Sequence, residues 1–156
     1  MDRDAANLRA AIQTEEAVHD HIVRGAGFVV ETVLSSDKYK SHVEHARTQE
    51  FNVGLIYVAL ASAETAIARV RDRVRSGGHD VPAEKIKSRW SRSLDNLAWF
   101  ATRVQRLLEY SNDDPRGAPI LVAYGIDGRI RLLEAGVLPE VTNRLRALGA
   151  TEPPAR

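Results

Sequence analysis

The residues best suited to chemistry in this sequence are arginines on both sides of a short, glycine-containing stretch. They are Arg69, Arg71, Arg73, Arg75, Arg89 and Arg92. Between them, residues 77–82 read GGHDVP, in which two glycines can end one helix and Pro82 can begin the next. Guanidinium groups match phosphate oxygens in geometry and charge, so two such helices form a lid suited to polyphosphate. The alternative interpretation is a helical hairpin with solvated basic faces.

A second candidate site lies at the end of an apolar run. Residues 27–34 read GFVVETVL, which predicts a buried parallel strand that delivers Glu31 and Thr32 near its carboxyl end. Ligands of open α/β sheets bind at that end of the strands. Glu31 and Thr32 are therefore candidate ligand-binding residues. In the alternative interpretation, Glu31 pairs with a neighbouring arginine.

The composition bounds the class of protein. A length of 156 residues, with 44% hydrophobic and 28% charged residues, is typical of one globular domain. The net charge of +1 and the few aromatic residues argue against a nucleic-acid partner. The absence of cysteine excludes disulfides and thiolate chemistry. The polar N-terminus and the lack of a long apolar window predict no membrane partner and a cytoplasmic location. No metal site is predicted, since His19 and His21 face different sides of a helix.

The elements that must position these residues alternate between helices and strands. Apolar periodicity predicts helices over about residues 4–24, 37–49, 63–75, 83–108 and 138–148. It predicts strands over residues 27–34, 51–60, 119–124 and 130–133. This order indicates an α/β fold: a parallel sheet flanked by helices, with a helical lid and a small C-terminal hairpin.

The sequence also predicts a turn-rich loop at residues 110–117, a single domain over residues 1–150 and a frayed tail over 151–156. Only two parallel strands are apparent, and the chain begins on a helix. A sheet built from them would expose a long apolar edge, so we expect a sheet that lacks its first strand.

Several stretches together resemble the zeta-toxin-like P-loop kinases. The matching residues are 28–36 (FVVETVLSS), 67–70, 73–74, 77–82 (GGHDVP) and 89–97 (RWSRSLDNL). Residues 110–113 (YSND) match a further family segment in a divergent form. The resemblance covers residues 4–148 and is most specific at GGHDVP. It implies that the fold is part of a P-loop NTPase of the kinase type.

The resemblance also implies a function. Members transfer the γ-phosphoryl group of ATP to a hydroxyl, which in the characterised toxins belongs to UDP-N-acetylglucosamine. It implies ATP and Mg²⁺ as cofactors, a nucleotide sugar as substrate and an antitoxin as a partner. By family position, Glu31 and Thr32 would contact the acceptor. Nucleotide and phosphate contacts would come from Arg69, Arg73, His79, Asp80, Arg89 and Arg92.

The part of the family that cradles ATP has no counterpart here. The sequence contains no Gly-x-x-x-x-Gly-Lys-Ser/Thr motif, and the segment that carries the catalytic Asp is also unmatched. No catalytic residue is therefore assigned, and we expect no kinase activity from this polypeptide alone. The alternative is a non-catalytic remnant or split-protein module that binds a nucleotide, a nucleotide sugar or a separately encoded P-loop half.

Overall fold

Helices and strands are interspersed along the chain, which confirms the α/β prediction. A computed structural model of the protein describes residues 3–114 and 117–153. In chain order the elements are α1 (Arg3–Val23), α2 (Lys38–Thr48), β1 (Gly54–Ala59), α3 (Ala63–Arg75), α4 (Ala83–Ala101), β2 (Arg106–Ser111), β3 (Ile120–Ile126), β4 (Arg129–Leu132) and α5 (Pro139–Ala147). None of the helices within the described ranges is long and apolar enough to span a bilayer.

The four strands form one mixed sheet in the order β1-β2-β3-β4. β1 and β2 run parallel, with Tyr57 opposite Glu109, and the remaining neighbours are antiparallel. The prediction of a parallel sheet is therefore wrong for β3 and β4, because the connections that lead to them are too short for a parallel crossover. The predicted hairpin between β3 and β4 is confirmed. Its turn residues Asp127 and Gly128 have φ values of 48° and 76°, and two such residues form a two-residue turn that matches strand twist.

Helices cover one face of this sheet, which we call the inner face. Side chains of β1 alternate, so Leu55, Tyr57 and Ala59 point toward α4. Leu94 and Leu97 of α4 are almost completely buried against the sheet. The rest of this core is supplied mainly by Leu107, Ala123, Ile130, Leu132, Leu138, Val141 and Leu145.

In the part of the chain that the structure describes, the helices of this core lie on the inner face and none of them covers the opposite side, the outer face. Strand alternation and register assign to it Ile56, Val58, Arg106, Leu108, Tyr110, Tyr124, Ile126, Arg129 and Arg131. Ile56 and Val58 are 68% and 55% exposed. The two faces of one sheet therefore differ sharply in burial.

A second apolar cluster joins the N-terminal helices to α4. Val18 and Ile22 of α1 pack with Leu34 and Phe100. The buried amide of Asn96 donates hydrogen bonds to the carbonyl oxygens of Leu34 and Ser36, at 2.9 and 3.1 Å. α4 thus fixes the end of the segment that precedes α2.

The predicted strand over residues 27–34 is wrong. The segment has no strand structure, and no backbone–backbone hydrogen bond within the described residues involves residues 27–36. Val30 and Leu34 turn toward the core, whereas Val29 is 97% exposed. An apolar run becomes a strand only where another strand offers a ladder, and no strand within residues 3–114 and 117–153 pairs with it. The predicted parallel pairing of this run with residues 51–60 is replaced by the β1–β2 pair.

The long helix predicted to residue 108 ends earlier, at Ala101, and is followed by β2. β2 takes in Tyr110 and Ser111, which were predicted to belong to the loop. Leu107, Glu109 and Ser111 are buried, while their neighbours are more exposed, so strand alternation replaces the helical period after Phe100. Residues 115–116 of the predicted loop lie outside the described residues.

The predicted tail begins with a paired residue. Thr151 exchanges backbone hydrogen bonds with the β4 region, accepting from Leu132 at 2.9 Å and donating to Ile130 at 3.1 Å. The first residue of the predicted tail is therefore held against β4. Residues 154–156 lie outside the described part of the chain.

Candidate functional site

The GGHDVP loop has the short helix-to-helix geometry that its sequence predicts. Gly77 has φ +85°, a conformation that favours glycine. A Cβ on Gly78 would come within 2.5 Å of the Arg73 side chain. The Gly78 amide donates to the Arg73 carbonyl oxygen at 2.8 Å, which closes the end of α3. The two glycines are therefore fixed by the helix end.

Side chains hold the rest of the loop. A guanidinium nitrogen of Arg73 donates to the carbonyl oxygen of His79 at 2.8 Å. The Asp80 carboxylate accepts from the Val81 amide at 2.8 Å, ahead of Pro82 at the start of α4. In this conformation the loop follows the side of α3 that carries Arg73.

A cavity of about 350 Å³ lies along the free edge of β1, between that edge, α3 and α4. Residues 57–60 form the strand side, and residues 32 and 33 of the extended segment approach it from across the opening. Its apolar wall consists mainly of Ala66, Val70, Val81, Ile86 and Trp90. Such a mixture of apolar wall and a few polar groups is typical of ligand sites.

Two arginines and one hydroxyl supply the outer polar lining. Arg73 reaches the cavity from α3, Arg89 reaches it from α4, and Thr32 lies on the extended segment. The Thr32 hydroxyl oxygen accepts from the Leu34 amide at 3.1 Å, which leaves its own hydrogen available to a ligand. The lining therefore combines two positive charges with one hydroxyl donor.

Of the two arginines that line the cavity, Arg89 is the one whose side chain has no hydrogen bond or ion pair with another described residue. Its side chain is partly buried, and within residues 3–114 and 117–153 it makes no hydrogen bond or salt bridge. Arg73, in contrast, uses part of its fork on His79. A cation drawn partly out of water is stabilised by a nearby anion, so this position suits a negatively charged ligand group.

A tyrosine and a serine form the inner polar end of the cavity. The Tyr57 hydroxyl and the Ser93 hydroxyl lie 2.9 Å apart in a hydrogen bond. Burial raises the pKa of Tyr57 to about 12; the Ser93 hydrogen bond opposes that shift and the Glu109 charge adds to it. Tyr57 therefore stays neutral and acts as a hydrogen-bond donor or acceptor.

Glu109 lies behind Tyr57 on the neighbouring strand, opposite it in register. It is 0% exposed, and neither carboxylate oxygen has a hydrogen-bond partner among the described residues. Burial raises the pKa of the Glu109 carboxyl to about 8, so at neutral pH the group is mostly protonated. Glu109 does not line the cavity.

Three of the predicted site residues come together at this cavity: Thr32, Arg73 and Arg89. His79 contributes only its backbone carbonyl to the Arg73 contact. Arg69 donates to the carbonyl oxygen of Asn112 at the end of β2. The side chains that do not line the cavity are those of Glu31, Arg69, His79, Asp80 and Arg92.

Tyr57, Ser93 and Glu109 were absent from the predicted site. Tyr57 belongs to a run that reads as a plain buried strand, and Ser93 is one of several small residues on a helix. Glu109 falls between the helix predicted over residues 83–108 and the loop predicted over residues 110–117, where a carboxylate would be expected on the surface. Its interior position follows from the pairing of β2 with β1, since the residue types of 106–111 do not alternate between polar and apolar.

The donor set fits phosphate and does not fit Mg²⁺. Within the described ranges, no three His, Asp or Glu side chains lie close enough together to hold a metal ion. The unpaired Arg89 is suited to phosphate oxygens, as is Arg73. We therefore propose no catalytic step that uses a metal ion held by these residues.

Comparison with known proteins gives one partial match. No family model matches the chain, and no solved structure matches it. An uncharacterized protein of Haemophilus influenzae is 32% identical over 85 residues. That alignment covers 54% of this chain and 61% of the relative, so the chain spans less than two thirds of the relative's length.

Proposed function

We propose that the cavity beside β1 binds the phosphate groups of a nucleotide sugar. In this proposal, the chain is the lid-bearing part of a zeta-toxin-like kinase, which transfers the ATP γ-phosphoryl group to a hydroxyl. One observation carries the proposal: Arg89 lines the cavity with its guanidinium unpaired among the described residues. Thr32 and Arg73, which the resemblance also assigns to the site, line the same cavity.

The chemistry asked of these residues is binding and orientation. Phosphoryl transfer depends mostly on positioning the groups and neutralising charge. Arg73 and Arg89 would neutralise phosphate oxygens, and the Thr32 hydroxyl would donate a hydrogen bond to the ligand. Ligand cavities commonly measure about 300–1,000 Å³, so a volume of about 350 Å³ suits the phosphate-bearing part of a ligand.

Transfer itself requires a phosphate cradle that these 156 residues do not supply. No Gly-x-x-x-x-Gly-Lys-Ser/Thr motif is present in them. We therefore expect this polypeptide to bind a nucleotide sugar without turnover. A complex with a P-loop segment from outside this sequence would be the active form.

Thermal unfolding and calorimetric titration with UDP-N-acetylglucosamine test the binding. We expect the ligand to raise Tm of the native chain, because a ligand that binds the folded state stabilises it by mass action. Arg89→Ala should abolish the shift and leave the ligand-free Tm unchanged, since Arg89 has no described partner to lose. Lys87→Ala, an exposed change two residues away on α4, is the control and should keep the shift.

Two results would contradict the proposal. One is a native chain whose Tm and titration heat do not respond to UDP-N-acetylglucosamine or to ATP. The other is a response of equal size in Arg89→Ala and in Lys87→Ala. Phosphoryl transfer by the native chain above the Arg89→Ala background would show that the expectation of binding without turnover is wrong.

A second candidate function is a module that pairs with a P-loop segment outside this sequence. The observation that favours it is the extended segment of residues 27–36, which has no backbone–backbone hydrogen bond in the described chain. Side chains hold the Leu34 amide and the Leu34 and Ser36 carbonyl oxygens, and the other backbone groups of residues 27–33 can be templates for another strand. Val29, at 97% exposure, would be covered by such pairing.

Hydrogen exchange tests this second function. The amides of residues 27–33 should exchange rapidly in the free chain, whereas the Leu34 amide is held by the Thr32 hydroxyl. Residues 27–33 should become protected when a strand–loop–helix polypeptide from a zeta-toxin-like kinase is added. The amides of β2 serve as the internal control, because they are paired on both sides. Protection of residues 27–33 in the free chain, or no change on addition, would contradict the pairing.

A further inference from the structure

The outer face of the sheet presents apolar side chains at its centre. Ile56 of β1 is 68% exposed, Ile126 of β3 is 50% exposed and Tyr124 is 36% exposed. Half-buried Leu108 lies between Ile56 and Tyr124 in the strand register. These side chains form one continuous patch across three strands, and contiguous patches of this kind commonly mark interaction sites.

Arginines surround that patch. Both cross-strand neighbours of Ile126 are arginines, Arg106 on β2 and Arg129 on β4. Arg131 is the neighbour of Tyr124 on β4. All three arginines are exposed, and none forms a salt bridge with another residue of the described ranges.

Tyr124, Ile126, Arg129 and Arg131 line one open hollow of about 510 Å³, together with Asp127 of the hairpin turn. Counting Arg106 with the two lining arginines gives three positive charges against the one negative charge of Asp127, which leaves +2. The surface therefore combines an apolar centre with an uncompensated positive rim.

We propose that the outer face is the docking site for an acidic amphipathic helix of a partner protein. The argument for an acidic partner is charge complementarity with Arg106, Arg129 and Arg131. The apolar stripe of such a helix would cover Ile56, Tyr124 and Ile126, as α4 covers the inner face. Four strands about 4.8 Å apart make a face about 15–20 Å wide, which about 12 residues of helix can cross.

A second copy of the chain fits this face poorly. A two-fold dimer places the same patch against itself, so the arginine rims would meet arginine rims. Among the described residues that line the hollow, Asp127 is the one acidic side chain, and it offsets only part of this charge. Like charges placed against each other across an interface are repulsive.

A nucleic acid also fits less well. Single strands bind through aromatic platforms and a basic groove. The most exposed hydrophobic side chains here are aliphatic, and Tyr124 is less exposed than Ile56 or Ile126. Aliphatic centres with charged rims are typical of protein interfaces.

The test uses the 156-residue chain and two labelled peptides of about 18 residues, long enough to form a helix across the face. Both peptides have leucine on one side of the helix; one has glutamate on the other side and the second has lysine. Fluorescence anisotropy should show that the glutamate peptide binds and the lysine peptide does not. The paired change Arg129→Glu/Arg131→Glu should weaken binding by about tenfold or more, since it reverses two rim charges.

The control is Arg9→Glu/Arg71→Glu, which makes the same change in net charge at exposed arginines away from the outer face. It should retain binding within about twofold, because exposed charges beyond a Debye length are screened. Should the double glutamate variant unfold, Arg129→Gln/Arg131→Gln replaces it, with circular dichroism as the check on folding.

Three results would overturn the proposal. The first is equal binding of the glutamate and lysine peptides. The second is tighter binding of a labelled oligothymidine that competes with the glutamate peptide, which would assign the face to nucleic acid. The third is a dimer in sedimentation that the Arg129→Glu/Arg131→Glu change dissociates. None of these readouts involves Arg89 or UDP-N-acetylglucosamine, so this test is independent of the proposed function.

Discussion

The inner and outer faces of the sheet are built from the same strands and differ in what contacts them. On the inner face, Leu107 is 1% exposed beneath the helices, and Glu109 is buried without a described hydrogen-bond partner. On the outer face, Ile56 and Ile126 are at least half exposed. Burial of apolar surface stabilises the fold at about 25 cal/mol per Å². The inner face therefore supplies stability, whereas the outer face stays exposed and is the surface proposed to bind a partner.

Of the changes considered for the two faces, Leu107→Ala should lower the free energy of unfolding the most. Deleting a fully buried leucine leaves a cavity, and such changes lower the free energy of unfolding by about 2–5 kcal/mol. Urea denaturation at pH 7 measures it. Ile56→Ala, on the outer face of the neighbouring strand, is the matched control and should lower stability by less than about 1 kcal/mol. Equal losses would show that the two faces contribute equally to stability.

Glu109→Gln tests whether the buried carboxyl on the inner face makes the stability of the protein depend on pH. Burial raises the pKa of Glu109 from 4.5 in the unfolded chain to about 8 in the folded one. Between these pH values the folded state holds a proton that the unfolded state has released, so the free energy of unfolding falls as pH rises. The part of it that the protonated Glu109 carboxyl contributes is gone above pH 8. The loss between pH 5 and pH 8 should be roughly 2–4 kcal/mol.

The Gln variant cannot ionise, so its stability should change much less over the same pH range. Denaturant titrations at several pH values between 5 and 9 measure the slope. Glu16→Gln, at an exposed position on α1, is the control and should keep the native slope. A native slope in Glu109→Gln would mean that another group causes the dependence.

The sequence predicted elements wherever local pattern and tertiary partners agree. Residues 51–60 and residues 27–34 are both apolar runs, and both were predicted to be buried strands. Only the first became one, because β2 lies beside it and supplies a ladder. The identity of a neighbouring strand is not written in the run itself, so the same reasoning succeeded once and failed once.

The candidate site was predictable to the extent that its residues are chemically distinctive. Arg73, Arg89 and Thr32 were assigned in advance and line the cavity. Tyr57 and Ser93 meet only because α4 crosses β1, which is a contact between distant parts of the chain. The interior position of Glu109 depended on recognising β2, whose residues 106–111 lack a clean polar–apolar alternation.

Ile126→Thr is expected to have the smallest effect on the free energy of unfolding. It therefore separates a role in binding from a role in folding. Threonine keeps the β-branched shape that strands favour, and Ile126 is half exposed, so stability should change by less than about 0.5 kcal/mol. Ile130→Thr, in the same hairpin but 4% exposed on the inner face, is the matched control. It buries a hydroxyl and should lose about 1–3 kcal/mol.

Peptide binding should respond in the opposite order. Ile126→Thr should weaken the glutamate peptide severalfold, because it removes apolar surface from the centre of the outer face. Ile130→Thr should leave that affinity unchanged under conditions in which it stays folded. Urea denaturation and anisotropy on the same two proteins give both values. If Ile126→Thr lowered stability as much as Ile130→Thr and left binding intact, the outer face would contribute to folding and not to binding.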